Sequence, residues 1–180
     1  TNSQHLGALL FNGHLQREGN RDRDAALISY TKAAAAHPQA VQANAAIIEI
    51  YLEKRDIESA RTRYEQLKKV QPKHPETLLF EAQFANIDKD FLRTRELIEE
   101  LLRVNPDELR TLQLAGINEL QLNSLTRAEA YLSRLMKLTP EAPLPRQLLA
   151  RIYTRTGRPD KALEVLQALI GSASAARDSL

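Results

Sequence analysis

The chain has no cysteine and no tryptophan, a single methionine, and only 5% aromatic residues among its 180. Without cysteine, disulfides, thiolate metal ligands and cysteine nucleophiles are excluded, while the redox setting stays open because a helical array needs no disulfide in either. The six glycines stand isolated, so no glycine-rich loop can cradle a phosphate. No apolar run approaches the ~18 residues of a membrane span, and no signal peptide is visible. Neither sign of charge dominates: 25 Lys and Arg stand against 23 Asp and Glu, a net charge of +2. Phosphate-driven binding shows instead as a concentrated basic face.

Catalytic signatures are also missing. There is no Gly-x-Ser-x-Gly elbow, and most of the serines fall on expected helix surfaces, at helix starts or in the tail. Ser124, after the turn at Asn123, reads as an N-cap. Of four histidines, His37 and His74 sit beside prolines in expected turns, and His5 and His14 are off a common helical face. No His-x-x-x-His or Glu-x-x-His pair supplies a metal's first ligands. Glu96, Glu99 and Glu100 could be read as an acid/base site. The solvated reading is preferred, with pairing at i,i+3 or i,i+4 to Arg93, Arg95 and Arg103. Neither an enzyme nor a cofactor is expected.

What is present is a period. Pro38, Pro72, Pro106 and Pro140 recur every 34 residues, each after a similar last turn such as Lys-Val-Gln-Pro or Arg-Val-Asn-Pro. Proline donates no hydrogen bond to the helix it follows and suits the first turn of the next. Ala26, Ala60, Thr94, Ala128 and Ala162 share the period, each followed at i+4 by a large residue: Tyr30, Tyr64, Ile98, Leu132 and Leu166. A small and a large residue one turn apart share a helical face. The small one admits a neighbouring helix and the large one fills the space beside it. Ala82, Gly116 and Ala150 mark the facing crossing point, with Ile48 in that place in the second repeat and Tyr51 and Tyr153 three residues further on.

This pattern resembles the tetratricopeptide-repeat (TPR) family over residues 7–170, as five repeats. The resemblance implies an all-α, right-handed α-solenoid of antiparallel helix pairs. The expected pairs are 4–18 and 23–36, 39–54 and 57–70, 74–87 and 90–104, 108–122 and 125–138, and 142–156 and 159–170. They form repeats 4–38, 39–72, 73–106, 107–140 and 141–170 of one array, with 171–180 as a frayed tail. Two departures stand out: Gly13 comes one residue early, with an extra residue expected in the 19–24 loop, and Thr94 replaces the usual alanine. Helices of about 14 residues span roughly 21 Å and are marginal alone, so stacking on neighbours has to stabilise them.

The stretches 41–46, 72–83, 112–116 and 148–163 are similar to TPR-repeat lipoproteins of the bacterial exosortase/PEP-CTERM protein-sorting and exopolysaccharide system. That resemblance implies an envelope location, lipid-anchored through an upstream segment, with the cytoplasm as the alternative. A chain beginning at Thr1 rather than Met is expected to be part of a longer protein.

First helices of such pairs line a concave face. Register places there Asn44, Glu49 and Glu53, then Gln83 and Asn86, then Gln113, Ile117 and Gln121, and finally Gln147, Arg151 and Arg155. Amides both donate and accept, which suits an extended peptide backbone, and Arg151 with Arg155 one turn away can hold a carboxylate. The bland reading is a merely polar solenoid surface. A protein or peptide partner is therefore expected. An RNA-binding helical repeat is the rival, opposed by interleaved acids and the lack of a regular aromatic stacking series. The last helix carries Ala162, Leu163, Val165, Leu166, Leu169 and Ile170, more apolar surface than one neighbour covers. A further repeat or self-association is expected there.

Overall fold

A computed structural model describes residues 2–167, with side chains from His5 onward. The expected end of the last helix, including Leu169 and Ile170, and the expected tail at 171–180 lie outside the described residues. Among the described residues there is no strand. The helices are α1 (Asn2–His14), α2 (Arg23–Ala36), α3 (Val41–Glu53), α4 (Ile57–Val70), α5 (Pro75–Ile87), α6 (Phe91–Val104), α7 (Leu109–Gln121), α8 (Leu125–Leu138) and α9 (Pro143–Arg155). Residues 159–167 are helical as well. From α2 to α9 each helix begins and ends within two residues of its expected place.

Two kinds of turn alternate, and each has its own chemistry. Between repeats, a turn closes from Ala40 N to His37 O at 2.9 Å, from His74 N to Gln71 O at 3.3 Å, from Glu108 N to Asn105 O at 3.3 Å and from Ala142 N to Thr139 O at 3.0 Å. The periodic proline is the second residue of each, the position its fixed φ suits. Within a pair, the chain reverses through one left-handed residue: Arg21, Arg55, Lys89, Asn123 and Gly157, with φ between 54° and 69°. These too are 34 apart. The Asp56 amide bonds Tyr51 O and the Arg55 amide bonds Leu52 O, and the same two bonds recur at Lys89–Asp90, Asn123–Ser124 and Gly157–Arg158. That is a Schellman closure, which satisfies the orphan carbonyls of the first helix. The residue after it starts the next helix, and the carboxylates of Asp22, Asp56 and Asp90 accept from Ala25 N, Ser59 N and Arg93 N.

The first pair departs from this plan. Residues Leu15–Gly19 form a π-helical turn, which holds one residue more than an α turn. The extra residue therefore sits inside the helix and not in the 19–24 loop. The Asp22 amide accordingly reaches Gln16 O, at 2.8 Å, one residue beyond the bond made by Asp56. The insertion restores the packing register: Gly13 is buried, and a Cβ there would lie 2.7 Å from Tyr30 Cε1. Gly116 repeats this contact, its Cβ position lying 2.5 Å from Leu132 Cδ2.

The chain divides into two compact units, one ending at Phe84 and the other beginning at Ala85. In the first, Ala26, Ala33, Ala43 and Ile50 centre one apolar cluster and Ile48, Ala60, Leu67 and Phe80 a second. In the second, Ala128, Leu132, Leu149 and Ile152 centre the core. The crossing positions Ala26, Ala60, Ala82 and Ala128 are fully buried and Ala150 nearly so. A methyl group contributes only ~0.8 kcal/mol on burial, against ~1.5–3 kcal/mol for Leu, Ile or Phe. Alanine at these points thus sets helix separation, and the large neighbours supply most of the burial energy. Thr94 fits the same slot by donating its hydroxyl to Asp90 O at 2.8 Å, one turn back.

Candidate functional site

In the first unit, three of the side chains expected on the inner face, Asn44, Glu49 and Glu53, are already engaged. Asn44 is 3% exposed, and its amide donates to Ala40 O at 2.8 Å and Pro38 O at 3.1 Å. It ties the inter-repeat turn to α3 and cannot serve a ligand, which corrects the register-based placement. Glu49 and Glu53 lie one turn apart on α3 and both meet Arg17 from the π turn. Arg17 Nη1 donates to Glu49 Oε2 at 2.7 Å and Nη2 to Glu53 Oε1 at 2.5 Å. Arg23 closes the network onto Glu53 Oε2 at 2.6 Å. Burial opposes the Arg17 charge, but the bonds to Glu49 and Glu53 outweigh it and hold the guanidinium above its ordinary pKa. Burial likewise opposes ionisation of Glu53, and the bonds from Arg23 and Arg17 overcome it, holding the carboxyl below the usual range. Gln83, on α5, is half-buried.

The second unit differs. Gln113 and Gln121 on α7 and Gln147, Arg151 and Arg155 on α9 are exposed, and Ile117 is half-buried among them. Positions 147, 151 and 155 follow at i+4 and form one stripe. Arg155 Nη2 donates to Asn123 Oδ1 at 2.7 Å, which brings the end of α9 against the turn after α7. Among the described residues no carboxylate pairs with Arg151 or Arg155. Asn86 donates to Asn118 Oδ1 at 3.0 Å and is used structurally, while Asn118 Nδ2 donates to Phe91 O.

Register alone does not place the ion pairs of this unit. Arg93 does bind Glu96 at i,i+3. Arg95, however, leaves its own helix and forks onto Glu119 of α7, Nε to Oε1 at 2.8 Å and Nη2 to Oε2 at 2.6 Å. Glu99 is taken by Arg127 from α8, and Arg103 donates to the Glu99 carbonyl. Glu119 is 1% exposed, a buried carboxylate in the register position that holds Tyr51 and Tyr153 in two other repeats and Ala85 in a third. Ser124 sits at the N-cap as expected but makes no capping bond with its side chain; its hydroxyl accepts from Arg95 Nη2 at 3.1 Å. A charged residue in an aromatic register position was a visible signal for Glu119. Arg17 has no counterpart position in later repeats because the π turn shifts it.

Among the described residues the arrangement offers hydrogen bonds and charge. His74 Nδ1 accepts from Glu76 N at 3.1 Å and is part of its turn. Among the described residues no three His, Asp or Glu side chains are grouped to hold a metal ion. No helix among them is long and apolar enough to cross a membrane.

Comparison with known proteins gives the family. Two tetratricopeptide-repeat models match, over residues 16–75 and 119–177, together about two thirds of the chain. No curated protein matches by sequence. Among solved structures, PilW, a widely conserved type IV pilus biogenesis factor, is similar with a TM-score of 0.76 at 18% identity, over 96% of this chain and 78% of that one. Pseudomonas aeruginosa PilF gives 0.75 at 16%, over 94% and 77%. A thermophilic TPR protein from Thermus thermophilus gives 0.73 at 20%, over 99% and 94%. At these identities the likeness is one of fold, an all-α helical repeat. Periodic prolines, buried small residues and paired helices agree with both family models: the chain belongs to the tetratricopeptide-repeat family.

Proposed function

We propose that the chain is a non-catalytic scaffold that binds an extended, acidic segment of another protein along the inner face of its second unit. The tetratricopeptide-repeat fold suggests a protein–protein interaction scaffold, and such repeats are generally non-catalytic. The observation that carries the finer reading is the stripe of Gln147, Arg151 and Arg155, two exposed guanidiniums a turn apart without a carboxylate partner among the described residues. Arginine's planar fork matches carboxylates, and Gln113, Gln121 and Gln147 can bond a peptide backbone in either sense. The similarity of 72–83 and 148–163 to repeat lipoproteins of the exosortase/PEP-CTERM system supports a partner met in envelope protein sorting or exopolysaccharide export.

The test is a set of extended peptides, acidic, neutral and basic, measured beside a single-stranded polynucleotide. Acidic peptides should bind best, with affinity falling as salt rises, because exposed charges are screened over about 8–10 Å at physiological ionic strength. Tighter binding of the polynucleotide with a steep salt slope would favour an RNA-binding repeat.

A further inference from the structure

A cleft lies on the side of α3 away from the Arg17 network. Positions 47 and 51 stand about 200° around the helix from 49 and 53 respectively, at about 100° per residue. Ile47 and Tyr51 therefore face away from the Arg17 network. They line a cleft of about 440 Å³ with Thr31 from α2 and Glu58, Thr62, Arg63 and Gln66 from α4. That size falls within the ~300–1,000 Å³ of small-ligand sites.

Arg63 is the unusual member. Its Nε is buried without a hydrogen-bond partner, Nη1 donates to Gln66 Oε1 at 2.8 Å, and among the described residues no carboxylate pairs with it. Arg17 and Arg23, which also reach between helices of the first unit, are both matched to glutamates, and Arg61 stacks over the Phe84 ring at 4.7 Å. A partly desolvated guanidinium with only a neutral partner is an incomplete electrostatic arrangement, and an anion completes it. Burial holds the Arg63 pKa below its ordinary value, opposed by the Tyr51 phenol, in keeping with that surrounding. Ile47 and the Tyr51 ring give the cleft an apolar wall, while Glu58 places one negative charge on the rim and disfavours a dianion.

We infer that this cleft binds a monocarboxylate with an apolar body, its carboxylate on Arg63 and its body against Ile47 and Tyr51. The inference is independent of the acidic-peptide reading, which concerns the second unit. The test is titration of the isotope-labelled full chain, followed by amide NMR, with 3-phenylpropionate and with acetyl-Gly-Phe bearing a free C-terminus. Their amides and inorganic phosphate serve as comparators. Saturable shifts at Thr31, Tyr51 and Thr62 are expected for the carboxylates. Affinity should be at least tenfold weaker in Arg63→Gln and in Thr62→Trp, which fills the cleft from an exposed position and leaves Arg63 intact. The tighter of the two carboxylates distinguishes a free acid from a peptide terminus. Absence of saturation, equal binding of the amides or of phosphate, or unchanged affinity in both variants would overturn the proposal.

Discussion

The two compact units share a period, a crossing chemistry and both turn types, yet they treat charge on the inner register in opposite ways. In the first, Glu49 and Glu53 are neutralised by Arg17 and Arg23, so the face is closed by its own ion pairs. In the second, the large charge problem is interior: Glu119 is buried and Arg95 answers it. The stripe proposed to face a partner keeps Arg151 and Arg155 exposed, with amides on α7 and α9. Repetition of the backbone plan thus does not repeat the surface. What a unit can bind depends on which of its charges are already spent on its own packing.

The sharpest way to break this contrast is at Glu119. Glu119→Ala should destabilise by roughly 1–3 kcal/mol, since it empties a buried site and leaves the partly exposed Arg95 without its carboxylate. Adding Arg95→Ala should cost less than the sum of the single changes, a coupling that a double-mutant cycle in urea reads directly. An additive pair would mean that Arg95 does not hold Glu119, leaving Arg127, 3.7 Å from its carboxylate, and packing.

Next comes the shared crossing chemistry. Ala128 is fully buried, and Ala128→Leu should cost ~1–3 kcal/mol through overpacking. An unchanged melting temperature would count against the assigned register.

Smaller effects are expected at the turns. Arg55 and Lys89 hold left-handed φ values of 61° and 65°, which cost a side-chain-bearing residue roughly 1–2 kcal/mol. Arg55→Gly and Lys89→Gly should each stabilise by about 0.5–1 kcal/mol after glycine's larger unfolded-state entropy is subtracted. Asn123→Gly should change less, because asparagine tolerates this region. Loss of stability in both glycine variants would contradict the closure described.

The acid response distinguishes the units' ion pairs from passive surface charge. Glu53 is held below its ordinary pKa against the opposing effect of burial, by Arg23 and Arg17, and Glu129 is lowered chiefly by its bonds from Arg158. With folded values below the unfolded value of ~4.3, their stabilisation is full above about pH 5 and is lost as pH falls through the folded values. Chemical denaturation should show a midpoint steady from pH 7 to 5 and declining below about 4. Glu53→Gln should remove part of that decline. A decline of unchanged size in the variant would detach it from the network.

Much of the fold was legible because its determinants are local and periodic. A proline that ends one helix and opens the next, and a small residue at each crossing, leave their mark at a fixed interval. The left-handed turn residues share that interval, but Arg21, Arg55 and Lys89 are not types that announce a positive φ; only Gly157 and Asn123 are. The π turn was visible as a one-residue offset at Gly13, but an offset does not say whether helix or loop absorbs it. The candidate face was less legible. Register could place Asn44 on α3, but not foresee that its amide would turn back to Pro38 and Ala40. Nor could it show which charges find partners: Arg17 and Glu53 are distant in sequence, and their pairing is set by how the helices pack. The exposed Leu163 and Leu166, at 58% and 37%, agree with an apolar face on the last helix, while Leu169 and Ile170 lie outside the described residues.

Binding through Arg151 and Arg155 is tested by charge reversal, measured by calorimetry with the best acidic peptide. Arg151→Glu/Arg155→Glu should weaken binding at least tenfold, with helicity by circular dichroism unchanged. Reversal of Arg93 and Arg103, which lie on α6, should stay within about twofold. Equal losses from the two pairs, or no loss from the inner pair, would contradict the account.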